Sequence, residues 1–154
     1  MNGSIQLVVF KLDAMKFGVL LSFVERVVPV TEVTGLPGAP EIVLGIINMK
    51  GKIIPVVNIR KRFRLPVREI ELSDRFIISR TSKRCLAIIA DEVDGVAEYP
   101  EQKIITAANI LPNLEYIEGV IKTEDGMVLI HDLEKFLSLD EVSALDKAMI
   151  PVSE

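Results

Sequence analysis

His131 is the only histidine and Cys85 the only cysteine in the 154 residues. A zinc site draws on several His, Cys or carboxylate ligands at close spacing, and neither residue has such neighbours in sequence. A Cys–His pair is formally available for nucleophilic catalysis, but no third orienting group and no nucleophile motif accompanies it. The ordinary readings are a structural His131, at the surface or hydrogen-bonded at a strand end, and Cys85 as a small buried hydrophobe. Asp91, Glu92 and Asp94, ahead of Gly95, supply carboxylates of the kind a calcium loop uses. They lack the alternation and the distant bidentate Glu that such a loop requires, so they read as a strand end and a turn. Gly35 and Gly38 enclose only Leu36 and Pro37, and no Gly-Lys-Ser/Thr or Gly-x-Ser-x-Gly motif follows a strand. The sequence therefore implies no enzyme, no cofactor and no metal. An enzyme built on Asp91 or Asp94 is the last-ranked alternative, because no partner group is in view.

One charge feature remains. Arg60, Lys61, Arg62 and Arg64 fall within five residues, with Arg68 close behind, in a chain of net charge −4. Such a run is ordinarily a solvated face. The sharper reading is a basic docking patch for an acidic partner. A nucleic-acid-binding barrel using Arg60 to Arg64 is a third possibility, opposed by the acidic balance and by Phe63 being the only interleaved aromatic.

These residues must be positioned by short strands. Val and Ile occupy 37 positions, and β-branched side chains suit pleated strands better than helices. Strands are predicted over residues 4–12, 16–21, 24–30, 42–48, 53–59, 75–80, 85–90, 93–99, 115–121 and 127–132, nine or ten in all. Gly35, Pro37, Gly38 and Pro40 mark a loop. Met49-Lys50-Gly51-Lys52 reads as a hairpin turn with Gly51 able to take positive φ. Pro55, inside a strand, belongs at an edge, at a bulge, or with its amide position facing away from its partner. Thr81-Ser82-Lys83 and Glu124-Asp125-Gly126 mark two further turns. Ser138 and Glu141 form a capping-box pattern, and Leu139, Val142, Leu145 and Met149 recur at helical spacing, so a helix is predicted over 139–149. No internal repeat is evident. The length suits one domain, or two small lobes sharing a core. Met1 to Ser4 lack a signal-peptide pattern and no apolar run is long enough for a bilayer, so the expectation is a soluble cytoplasmic protein.

Several motifs occur in an order that resembles the CheW family of chemotaxis coupling proteins. They are Leu36-Pro37-Gly38-Ala39-Pro40, the stretch Gly45-Ile46-Ile47-Asn48-Met49-Lys50-Gly51, and Ile53-Ile54-Pro55-Val56-Val57-Asn58-Ile59. Phe17-Gly18-Val19 with Val24 to Val27, Ile89-Ala90-Asp91-Glu92-Val93-Asp94-Gly95-Val96 and Ile117-Glu118-Gly119-Val120 follow the same pattern. The resemblance covers roughly residues 5 to 146.

It implies a mainly β fold of two intertwined five-stranded, SH3-like β-barrel subdomains sharing a hydrophobic core, within one domain of residues 1–154 closed by a C-terminal helix. It also implies a non-catalytic scaffold that couples the cytoplasmic tip of a methyl-accepting chemoreceptor to the regulatory domain of a CheA-type histidine kinase. No nucleic acid and no direct membrane insertion enter that role, and the protein would be recruited from the cytoplasm to membrane-receptor arrays. The same fold could serve a chemosensory pathway for surface motility or gene regulation. By motif position the partner-binding residues are Val24, Arg26, Val27, Asn48, Lys50 and Gly51, although Asn48 and Gly51 could simply make the turn and the valines simply pack. Two positions depart from the family pattern: Arg26 stands where Glu is common, and Lys50 where Arg is common. If those positions lie near each other, an acidic–basic pair has become two cations, and Lys does not reproduce a planar guanidinium fork. Glu25, one residue earlier, is the candidate substitute for the missing carboxylate, though on a strand it would face the other way.

Overall fold

A computed structural model describes residues 3–106, 116–124 and 126–151. Eleven strands occur among these residues, in two sheets, with one helix. The strands are β1 (Ser4–Leu12), β2 (Met15–Leu20), β3 (Val24–Pro29), β4 (Val43–Met49), β5 (Lys52–Val57), β6 (Arg75–Arg80), β7 (Cys85–Ala90), β8 (Glu92–Pro100), β9 (Ile104–Thr106), β10 (Ile117–Thr123) and β11 (Gly126–His131). The helix α1 is Leu139–Met149, as its periodicity predicts. Glu115 and Asp125, expected in a strand and in a turn, lie outside the described residues.

The first unit comprises residues 1–24 and 90–136. Its sheet runs β8-β1-β2-β11-β10-β9, with β2 and β11 parallel. β1 and β2 close through a two-residue turn in which Asp13 takes φ 54, a conformation Asp tolerates, and Asp91 Oδ2 accepts from the Asp13 N–H at 2.7 Å. Phe10 stacks on Phe17 with ring centroids 5.7 Å apart. Leu7, Val9, Ile121, Val128 and Ile130 form a buried cluster in this unit.

The second unit comprises residues 25–89 and 137–154. Its sheet runs β3-β6-β7-β5-β4, with β5 and β7 parallel. Ile47, Ile54, Val56, Phe76, Ile78, Cys85 and Ala87 form its core. The two-residue turn Lys50-Gly51 makes Met49 and Lys52 the first hydrogen-bonded pair of the β4–β5 ladder. Counting back, Pro55 opposite Ile46 occupies a non-hydrogen-bonded position, so its missing N–H costs that ladder nothing. Helix α1 begins at the Ser138 capping box, buries Leu145 and Met149, and is held by ion pairs from Arg62 to Glu141 and from Arg84 to Asp146.

Five-stranded barrels were the expectation. The sheets are instead open in strand order and hold six and five strands, within the two-subdomain, SH3-like arrangement. The sixth strand is β9, three residues long and too short to carry an alternation signal.

The structure also reveals a repeat that the sequence conceals. Read outward, β1-β2-β11-β10 corresponds to β6-β7-β5-β4, each with the same parallel pair at its centre. β10 shifts register between Ile117 and Gly119, and β4 between Val43 and Gly45. Beyond β5, the Asn58 side chain accepts from the Arg60 N–H; beyond β11, Asp132 accepts from the Glu134 N–H, and each opens a 3-10 turn. Gly45-Ile46-Ile47 thus matches Gly119-Val120-Ile121, and Asn58-Ile59-Arg60-Lys61 matches Asp132-Leu133-Glu134-Lys135, at one constant offset. The outer strands are exchanged: β3 follows β2 in sequence but joins the second sheet, and β8 follows β7 but joins the first.

Candidate partner-binding surface

The six residues singled out by motif position all lie at β3 and at the β4–β5 turn. β3 is an edge of the second sheet; along it Val24 is half-buried and Glu25, Arg26 and Val27 are exposed. An edge strand that keeps Arg26 and Val27 towards water, with Val24 half-buried, is a surface suited to a partner. At the turn, Lys50 and Gly51 take φ 54 and 89, and the Gly51 N–H donates to Asn48 Oδ1 at 2.8 Å. The Asn48 side chain therefore builds the turn, and that turn presents the exposed Lys50.

Cys85 shows how the two groups are related. Its thiol points at Glu25 Oε2, 3.9 Å away, with Lys52 and Arg80 near enough to act on it electrostatically. Glu25 on β3, Arg80 closing β6, Cys85 opening β7 and Lys52 opening β5 thus line up across one end of the sheet. The Lys50-Gly51 turn precedes Lys52 directly, so both groups of residues occupy that end. Burial first, and then Glu25, push the Cys85 thiol up from its ordinary value, against the pull of Lys52 and Arg80. Glu25 therefore shares this face with Cys85, and strand alternation turns Arg26 to the other. Sequence reasoning gave Lys52 and Arg80 no role, although it placed Lys52 in one turn and Arg80 beside another.

The basic run does not form one patch. Arg60 is 5% exposed, lies against its own loop and donates to the Pro66 carbonyl at 2.9 Å. Lys61 reaches Glu41, at 3.5 Å from its carboxylate and 3.0 Å from its carbonyl, and Arg62 pairs with Glu141. Only Arg64, with φ 55, is exposed among the four. The 3-10 turn at residues 59–61 causes this, because it points successive cations in different directions. His131, expected at the surface or hydrogen-bonded at a strand end, is 2% exposed and its ring lies 5.1 Å from that of Phe136.

Among the described residues no group of three or more His, Cys, Asp and Glu side chains is placed to hold a metal ion, and no helix is long and apolar enough to cross a membrane. Lys11 bridges Glu92 at 3.1 Å, and Lys16 bridges Asp94 at 3.6 Å, so these carboxylates join β8 to β1 and β2. Desolvation and the neighbouring Asp132 push the Glu118 carboxyl up, with Lys135 opposing.

Residues 6–141 match the family model described as a CheW-like domain. The chain is 30% identical to the chemotaxis protein CheW of Treponema pallidum over 91% of its own length and 86% of that protein's. It is 25% identical to CheW of Rhizobium meliloti, covering 93% of itself and 94% of the relative. Among solved structures it is similar to the scaffolding protein TtCheW of Thermoanaerobacter tengcongensis, with a TM-score of 0.80, 30% identity and 92% of each chain covered.

Proposed function

The chain belongs to the CheW-like domain family, and from that premise we propose that it is a non-catalytic chemotaxis scaffold linking a chemoreceptor tip to the regulatory domain of a CheA-type histidine kinase. The observation that carries the reading is the likeness to CheW proteins along almost the whole chain, which includes both β3 and the β4–β5 turn. Coupling of this kind needs differential contacts in two signalling states and no chemical step. Val24 and Val27 supply the apolar part of the contact; Arg26, Lys50 and the turn formed by Asn48 and Gly51 supply the polar rim. The protein acts in the cytoplasm, at membrane-receptor arrays.

The exchange of Glu for Arg at position 26 alters the charge offered to that partner. We expect an acidic partner residue opposite Arg26 and Lys50. Arg26→Glu then weakens binding to the cognate receptor fragment or kinase domain about tenfold, measured by calorimetry with each purified partner. Unchanged affinity for both would remove Arg26 from the interface. The proposal as a whole is tested by capturing the tagged protein from lysate of its own organism. Recovery of a CheA-type kinase together with a chemoreceptor supports it; recovery of neither leaves only the fold.

A further inference from the structure

The loop over residues 65–73, which leads into β6, draws Arg68 onto the buried Asp74 and leaves apolar side chains exposed. Asp74, 1% exposed, accepts both guanidinium nitrogens of Arg68, at 3.0 and 2.7 Å, and the Glu71 N–H at 2.9 Å. Arg68 also donates to the Glu69 carbonyl at 2.8 Å, and the Asp74 N–H donates to the Glu71 carbonyl at 3.0 Å. Arg60 holds the Pro66 carbonyl at the other end of the loop. A segment tied at both ends in this way is ordered before any partner arrives. Even so, Leu72 is 93% exposed, Val67 59% and Ile70 36%. Isolated exposed apolar residues are ordinary, but here three fall within six positions of one tethered loop. Glu69 and Glu71 are exposed on either side of Ile70, while Arg68 is drawn onto Asp74.

We propose that this loop is a preformed docking surface for a partner segment carrying apolar side chains flanked by Lys or Arg. The apolar residues supply the contact area, and the two glutamates select a cationic flank. Because the Arg68–Asp74 clasp fixes the backbone, little ordering entropy is lost on binding. The loop enters β6 at Arg75, whereas the line of Glu25, Arg80, Cys85 and Lys52 lies at the far end of that strand, roughly 17 Å away at the usual rise per residue. The surface is therefore separate from the one assigned to receptor and kinase, and the proposal goes beyond that assignment.

The test is a titration of the ¹⁵N-labelled full chain with two synthetic peptides that share one leucine pattern, one flanked by Lys and the other by Glu. The expected result is that the Lys peptide shifts amides within residues 65–73 and the Glu peptide does not. Leu72→Ser, at a position already in water, weakens the Lys peptide about tenfold or more. The double change Glu69→Lys and Glu71→Lys reverses the preference. Absence of shifts in the loop, or an equal response to both peptides, overturns the proposal. So does concentration-dependent self-association in sedimentation that Leu72→Ser abolishes, since a second copy of this chain would then be the occupant.

Discussion

A methyl group added at Gly45 would lie 2.2 Å from the Thr34 carbonyl oxygen, whereas one added at Gly119 would meet the Ile104 Cγ2 at 2.7 Å. These glycines hold matching places in the two sheets, yet their surroundings yield differently. A backbone carbonyl cannot move without breaking the paired Thr34–Ile46 bridge, while an isoleucine methyl can change rotamer. Gly45→Ala is therefore expected to cost about 3 kcal/mol and Gly119→Ala about 1 kcal/mol, read from urea denaturation of each variant. Equal costs would mean that the bridge at Thr34 gives way easily. Cys85 makes a prediction in pH. Its folded pKa is raised above the unfolded value, so below both values the thiol is protonated in either state and contributes no pH dependence. As pH rises past about 8.5 the unfolded chain releases its proton first, and stability falls. Cys85→Ser should flatten that alkaline decline in a series of melts from pH 7 to 10. The native thiol should also react slowly with a disulfide reagent at neutral pH, as thiolate is the attacking form.

At the scale of elements, α1 depends on a few polar contacts at its start. Ser138 accepts from the Glu141 N–H at 3.1 Å, and Glu141 accepts from the Ser138 N–H at 2.8 Å while also pairing with Arg62. Ser138→Ala is expected to lower stability by about 1 kcal/mol in thermal or urea unfolding. Glu141→Ala should cost more, because it frees Arg62 as well. The capping box was legible in the sequence because its two side chains and their spacing are the whole mechanism. Most strands were legible too, since each combines β-branched residues with a turn marker: Gly51 after β4, and Ser82 and Lys83 after β6. What escaped depended on partners distant in sequence. β9 exists as a strand only through Gly119, Val120 and Ile121 of β10. Arg60 reads as surface charge until the fold lays it against Pro66. The candidate binding residues were found by motif, and the Glu25–Cys85–Lys52 line that relates them needs four strands in place. The repeat was hidden because the two copies keep glycines, a side-chain cap and apolar register while sharing few identical residues.

At the scale of the molecule, the exchanged strands make each sheet depend on both halves of the chain. A cut in the loop at residues 65–73 would leave β1 to β5 on one fragment and β6 to β11 with α1 on the other. Each sheet draws strands from both pieces. Neither fragment should fold alone, and mixing the two should restore the circular dichroism spectrum and cooperative melt of the intact chain; a folded single fragment would contradict this. Synthesis on the ribosome meets the same constraint. β1 pairs Ser4 with Pro100, and β2 pairs Lys16 with Val128, so both strands of the first hairpin wait for partners made about 90 to 110 residues later. At roughly 5–20 residues per second that interval lasts on the order of 5 to 20 s. Throughout it Leu7, Val9 and Phe10 have no neighbouring sheet to enter. The nascent hairpin is thus expected to call on a holding chaperone, and the order in which the first sheet's strands are made is what creates the exposure.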